Sequence, residues 1–172
     1  MNTQAASYGG IFTVSCKDAN GNVKWEEEFP NLVVNTGLQS MNTQFFKGVT
    51  YTASWFMGLV TGPGASNVYS ADDTMVLHSG WAENIAYSQT TRPAVSFGTA
   101  TTADPSVIST SSALVFTVSS STTVAGAFLT TDNAKSGTAG TLFSVGNFTV
   151  GDRPVVSGDT LNVSYTFAAN AV

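Results

Sequence analysis

Charge, cysteine and histidine are all scarce in this chain, and each scarcity removes a class of function. Of its 172 residues, 10% are Asp, Glu, Lys or Arg, against roughly 25% in an average soluble protein. The six basic residues, Lys17, Lys24, Lys47, Arg92, Lys135 and Arg153, stand singly and form no basic run. Holding a phosphate backbone takes clustered cations, so no nucleic-acid partner is expected. A net charge of −5 works against docking on an anionic membrane. No stretch approaches the roughly 18 apolar residues of a spanning helix, so no membrane role is expected.

The single Cys16 excludes an intrachain disulfide and a cysteine-based zinc site. The single His78 leaves one candidate base for a nucleophile-base pair, and no glycine-serine-glycine elbow accompanies it. A phosphate-binding Gly-Lys-Ser/Thr motif is absent, as is a glycine fingerprint opening a long helix. No catalytic residue, cofactor or metal is therefore expected. Asp18-Ala19-Asn20-Gly21-Asn22 looks like the start of a calcium loop, but its glycine falls at the fourth position, whereas an EF-hand needs it at the sixth.

Hydroxyls take the place of charge. The chain holds 24 Thr and 20 Ser, and its 42% hydrophobic content is enough to build a core. Period-two alternation of β-branched and aromatic residues recurs throughout, which marks strands. Residues 8–17 put Phe12, Val14 and Cys16 on one face and Ile11, Thr13 and Ser15 on the other. The Asn20-Gly21 turn then returns the chain through 23–29, because both residues tolerate positive φ. Further strands are read at 50–60, 94–97, 113–118, 123–130, 142–150 and 160–167. Eight strands with short turns predict an all-β, single-domain sandwich, jelly-roll-like in strand number. With no linker dividing the chain, residues 8–172 read as one domain, preceded by a polar, flexible N-terminal arm over 1–7.

One helix interrupts the β pattern. Leu38, Met41, Phe45 and Phe46 recur at helical spacing, giving a short helix near residues 37–46 with Asn35 or Thr36 as its cap. Residues 65–91 are irregular, with one helical turn expected near 71–75.

Within that excursion lies the densest set of specific side chains: Trp81, Glu83, Tyr87 and Arg92. Arg92 precedes Pro93 and must be extended. Glu83 is its nearest acidic neighbour, so the two are expected to pair with Trp81 packed over them, within the fold or across subunits. These four are the candidate interface residues. Two other readings attach to neighbouring residues: Trp55, Trp81 or Tyr69 as exposed sugar platforms, and Glu83 with Asp72 or Asp73 as a hydrolytic carboxylate pair.

The order of short motifs carries a resemblance. Phe29-Pro30-Asn31-Leu32-Val33-Val34-Asn35-Thr36-Gly37-Leu38 follows the Trp25-Glu26-Glu27 hairpin. Then come Trp55-Phe56-Met57-Gly58-Leu59-Val60, Gly80-Trp81-Ala82-Glu83, Thr91-Arg92-Pro93, Gly126-Ala127-Phe128-Leu129 and Ser157-Gly158-Asp159-Thr160-Leu161. This order resembles small virion structural proteins of tailed bacteriophages, most of all capsid decoration (cement) proteins. The resemblance implies a mostly β protein, made in the host cytoplasm and carried on the virion's capsid surface. It further implies a homotrimer that bridges major capsid protein subunits. A tail or fibre component, or a carbohydrate- or receptor-binding module, is the alternative.

Overall fold

The computed structural model describes residues 7–48 and 54–170. The expected arm over 1–7 therefore lies outside the described residues, except for Ser7, which opens the first strand; so do residues 50–53 of the strand expected from 50.

Two antiparallel sheets and one helix form the fold. In the first sheet β2 (Val23–Pro30), β1 (Ser7–Lys17), β12 (Thr160–Asn170) and β7 (Ser106–Ser109) lie side by side, and β8 (Leu114–Thr117) also pairs with β12. In the second, β3 (Leu32–Val33), β10 (Leu142–Asn147), β9 (Thr122–Thr130), β4 (Trp55–Thr61) and β5 (Glu83–Asn84) follow in order. There β11 (Arg153–Val155) pairs with β9, and β6 (Ala94–Val95) with β4. The helix α1 spans Asn35–Lys47. Among the described residues, twelve strands thus replace the eight expected. Those unseen in the sequence, β3, β5, β7 and β11, are two to four residues long, too short for alternation to register.

The alternation read from β1 is the burial observed: Phe12, Val14 and Cys16 are fully buried, while Ile11 and Thr13 are exposed. Burial pushes the Cys16 thiol up to about 11. These residues join Phe29, Phe116, Leu161 and Val163 of the first sheet against Met57, Leu59, Ala127 and Leu129 of the second. The hairpin turn forms where expected, with Gly21 at φ +86° and the Asp18 carboxylate accepting from the Asn20 and Asn22 amides. Those bonds hold the Asp18 carboxyl below its usual range, led by the Asn22 side chain.

The second sheet is buried on both faces. Val60, Phe128 and Val145 point away from the sandwich core into a second cluster with Val34, Met75 and Trp81. The irregular stretch after β4 supplies Met75 and Trp81, so its function in the fold is to cover this outer face. Its expected helical turn near 71–75 does not form. The Asp73 amide bonds back to the Ser70 carbonyl and Thr74 closes a tight turn with Leu77, two local bonds that compete with helix.

The helix extends two residues beyond the expected start. Val34 is its cap position; neither Asn35 nor Thr36 caps it, because their side chains bond elsewhere, Asn35 to Asp72 and Thr36 to the Leu142 carbonyl. Gly37 is the buried contact point: an added Cβ would collide with the Phe143 backbone. The expected apolar stripe is only half used. Leu38 and Met41 are half-buried, whereas Phe45 and Phe46 are 80% and 77% exposed.

The glutamate run in β2 is likewise divided. Glu26 and Glu28 face solvent, but Glu27 is buried and ties down the turn after β10. Its carboxylate accepts from the Thr149 and Val150 amides, from the Thr149 hydroxyl and from Arg153 at 2.7 Å. Burial alone would raise this carboxyl; Arg153 and the N–H and O–H donors more than offset it and hold it below its ordinary value of 4.5. A lowered folded-state value contributes stability above the ordinary one and loses it as pH falls through the folded one. The denaturation midpoint should therefore drop on acidification below about 4.5, and drop less in Glu27→Gln. Urea titrations at pH 7 and pH 3 check this; equal acid losses in the two proteins would refute it. Asp18 adds a second slope in the same direction.

Candidate functional site: a buried arginine clasp and an apolar groove

Two features are built around the second sheet. The first begins at its β5 edge. Glu83 is placed by the pairing of β5 with β4, opposite Val60. Arg92 reaches it from the extended segment before Pro93, its own amide bonded to the Asn133 carbonyl. The guanidinium forks onto Glu83 with two bonds of 2.9 Å, Nε to Oε1 and Nη2 to Oε2. Its remaining N–H groups donate to the Asp132 and Gly137 carbonyls, both at 2.9 Å, and to the Asp132 carboxylate at 3.4 Å. All five donors of the group thus have acceptors, which is the condition for burying a charge of this kind. Arg92 is 1% exposed.

The Ser136 amide closes the ring by donating to Glu83 at 2.7 Å. Lys135 completes the clasp with bonds to the Tyr87 and Gln89 carbonyls, its ammonium 3.9 Å from the Tyr87 ring centre. The result fastens residues 132–137, the loop after β9, to the excursion before β6. Tyr87 itself packs edge-on against Phe116, and burial raises its phenol above the usual value.

The expected pair of Glu83 and Arg92 forms, within one chain, but its aromatic partner needs correction. Arg92 lies over the ring of Phe128, 5.2 Å from its centre. Trp81 packs on that same ring at 5.2 Å and is in turn covered by His78 at 4.2 Å. Its indole N–H donates to Asp73 at 3.0 Å, and the His78 Nδ1 bonds to the Thr74 carbonyl at 2.9 Å. Between these groups and Ser136–Thr138 lies a cavity of about 240 Å³. The side chains of Trp81, Glu83, Tyr87 and Arg92 are all turned inward. Little of any of these four side chains is therefore exposed in the single chain.

The buried positions bear on the other two readings. Trp81 is only 6% exposed, so it offers no open sugar platform, and the Tyr69 hydroxyl is bound to Asn147. The three carboxylates considered for hydrolysis are committed to separate partners: Glu83 to Arg92, Asp73 to Trp81, and Asp72 to Asn35. Among the described residues no three His, Cys, Asp or Glu side chains converge on a possible metal position.

The second feature had no sequence signal beyond the helical stripe. Beside α1, one cavity of about 170 Å³ and another of about 350 Å³ lie against each other. They share Met41, Trp55 and Phe143 as walls. Phe97, Ile108 and Phe167 further line the smaller cavity, and Ser40, Gln44 and Phe45 the larger.

Sheet order, core and clasp define a two-sheet antiparallel β-sandwich domain with a covered outer face. Compared with protein-family models, with curated proteins and with solved structures, the chain matches none.

Proposed function

We propose that this chain is a virion structural protein: a capsid decoration protein that binds the outer surface of a bacteriophage head as a homotrimer and bridges major capsid protein subunits. The observation that carries the reading is how the chain divides its polar and apolar groups. Among the described residues, the buried charged side chains Glu27, Asp73, Arg92 and Asp159 are each bound to a partner that fastens a loop or turn. Large apolar side chains, by contrast, stand outside. Phe45 and Phe46 end α1, and Val76 and Leu77 form the tip of the Thr74 turn at 68% and 73% exposure. Exposed apolar groups on a rigid, charge-poor scaffold suit adhesion to another protein surface. Many copies on one shell would make a modest affinity per copy sufficient. In this reading the partners are protein alone, and the protein moves from host cytoplasm to virion.

Antibody raised against the purified chain, applied to virions of the phage that encodes it, is the test. Label distributed over the head is expected. Label confined to the tail would replace this reading with the tail or fibre one, and absence from virions would end both.

A further inference from the structure

We propose that Asn20 is a site of spontaneous covalent modification: it loses its side-chain nitrogen through a cyclic imide and becomes aspartate or isoaspartate while the rest of the chain stays folded. The reaction needs water and no other reagent. The Gly21 nitrogen attacks Cγ of Asn20, and the new N–C bond closes a five-membered ring. The Cγ–Nδ2 bond breaks, and the departing NH2 takes the proton given up by Gly21 and leaves as ammonia. Water then adds to either ring carbonyl, its hydroxyl to the carbon and its proton to the nitrogen. Opening on one side gives aspartate; opening on the other sends the main chain through Cβ as isoaspartate.

Three observations single out this position. Of the twelve Asn residues, Asn20 alone precedes a glycine, so no Cβ on the following residue crowds the attacking nitrogen. Both residues are exposed, and apart from its chain neighbours no atom lies within 4 Å of the place a Gly21 Cβ would take. The side-chain amide of Asn20 has no hydrogen-bond partner among the described residues. Asn22, in the same turn, differs on two counts: its side-chain amide donates to the Asp18 carboxylate at 3.0 Å, and the branched Val23 follows it.

A few turn bonds oppose the reaction. The Gly21 N–H donates to the Asp18 carbonyl at 3.0 Å, and the nitrogen must leave that bond to attack. Asp18 holds the turn further, its amide donating to the Asn22 carbonyl and its carboxylate accepting from the Asn20 and Asn22 amides, all at 2.9 Å. These bonds lie at the tip, beyond the last β1–β2 pair, Lys17 with Val23. Opening the tip gives up solvent-exposed bonds and no core contact, so it proceeds locally in the folded chain. The product then keeps the tip open. Isoaspartate adds a methylene to the main chain inside the turn, and either product sets a second carboxylate beside Asp18. The site is independent of the virion reading.

Peptide mapping by mass spectrometry, after the full chain has been incubated at mildly alkaline pH, tests this. Asn20 should convert before any other Asn, with ammonia released one for one and isoaspartate labelled by an isoaspartyl methyltransferase. Urea below the unfolding transition should leave the rate unchanged, because a local opening exposes little new surface. Asp18→Ala should raise the rate about fivefold, the weight of one hydrogen bond in the opening equilibrium. Asn20→Gln, whose ring would need a sixth member, should release no ammonia from the turn over the same incubation. The proposal is overturned if Asn20 survives in the folded chain under conditions that convert it in the urea-unfolded chain. It is also overturned if the rate climbs steeply in sub-denaturing urea, as a route through global unfolding demands, or if another Asn converts first. An unchanged rate in Asp18→Ala would overturn the control given to the Asp18 bonds.

Discussion

Replacing Arg92 by Ala should lower the unfolding free energy by about 3–5 kcal/mol, the range for breaking one side of a buried ion pair. The cost is not mainly the lost attraction. It comes from leaving Glu83, whose side chain is 8% exposed, as an uncompensated carboxylate, together with the Asp132 and Gly137 carbonyls stripped of their donors. Arg92→Lys should recover little, because a single ammonium cannot span Glu83, Asp132 and Gly137 at once. The double variant Arg92→Met with Glu83→Gln should recover more than Lys does, since it removes the stranded charge. Urea unfolding followed by tryptophan fluorescence measures all three. A loss below about 1 kcal/mol for Arg92→Ala would mean that water reaches the Glu83 carboxylate and that the clasp is not closed in solution.

The clasp also shows how far a sequence can be read. Glu83 and Arg92 were legible as a pair because they are close in the chain and Pro93 fixes the backbone before it. The other acceptors were not legible. They are two backbone carbonyls and the Asp132 carboxylate, 40 to 45 residues downstream; a carbonyl has no signature of its own, and nothing near Arg92 in the sequence singles out Asp132. Trp81 was placed on the pair because it is near in sequence; Phe128, the ring Arg92 does lie over, comes from a different strand. The same limit explains α1. Helical spacing identifies a stripe, but only the packing at Gly37 decides which turn of it meets the sheet, and Phe45 and Phe46 fall beyond that contact. In β2, Glu27 shares a face with Trp25 and Phe29, and a carboxylate on that face stays buried only because Arg153 and the Thr149 and Val150 amides, more than 120 residues away, satisfy it. The place of the β1–β2 hairpin was legible because Asp18, Gly21 and Asn22, which make its turn, lie within five residues; that Gly21 alone takes a positive φ and that the pairing shifts register at Cys16/Lys17 were not.

Gly58→Ala should be among the most damaging single-methyl additions, costing about 3 kcal/mol, the upper end for overpacking a core. Gly58 lies directly opposite Phe128 in the pairing of β4 with β9. The Phe128 ring folds back over it, so that an added Cβ would land within the ring. Phe128 is fully buried and cannot swing aside, because Trp81 packs on it and Arg92 lies over it. The missing side chain of Gly58 is thus what allows one ring to join the outer cluster to the clasp. This makes a second-site prediction. Phe128→Leu alone should destabilise by a few kcal/mol through the cavity it opens, but it vacates the space that the new methyl group needs. Adding Gly58→Ala to Phe128→Leu should therefore cost well under about 1 kcal/mol, and the coupling in a double-mutant cycle should reach about 2 kcal/mol. Strict additivity, with Gly58→Ala equally harmful in both backgrounds, would place its damage in the backbone of β4 and not in the ring, and would separate the outer cluster from the clasp.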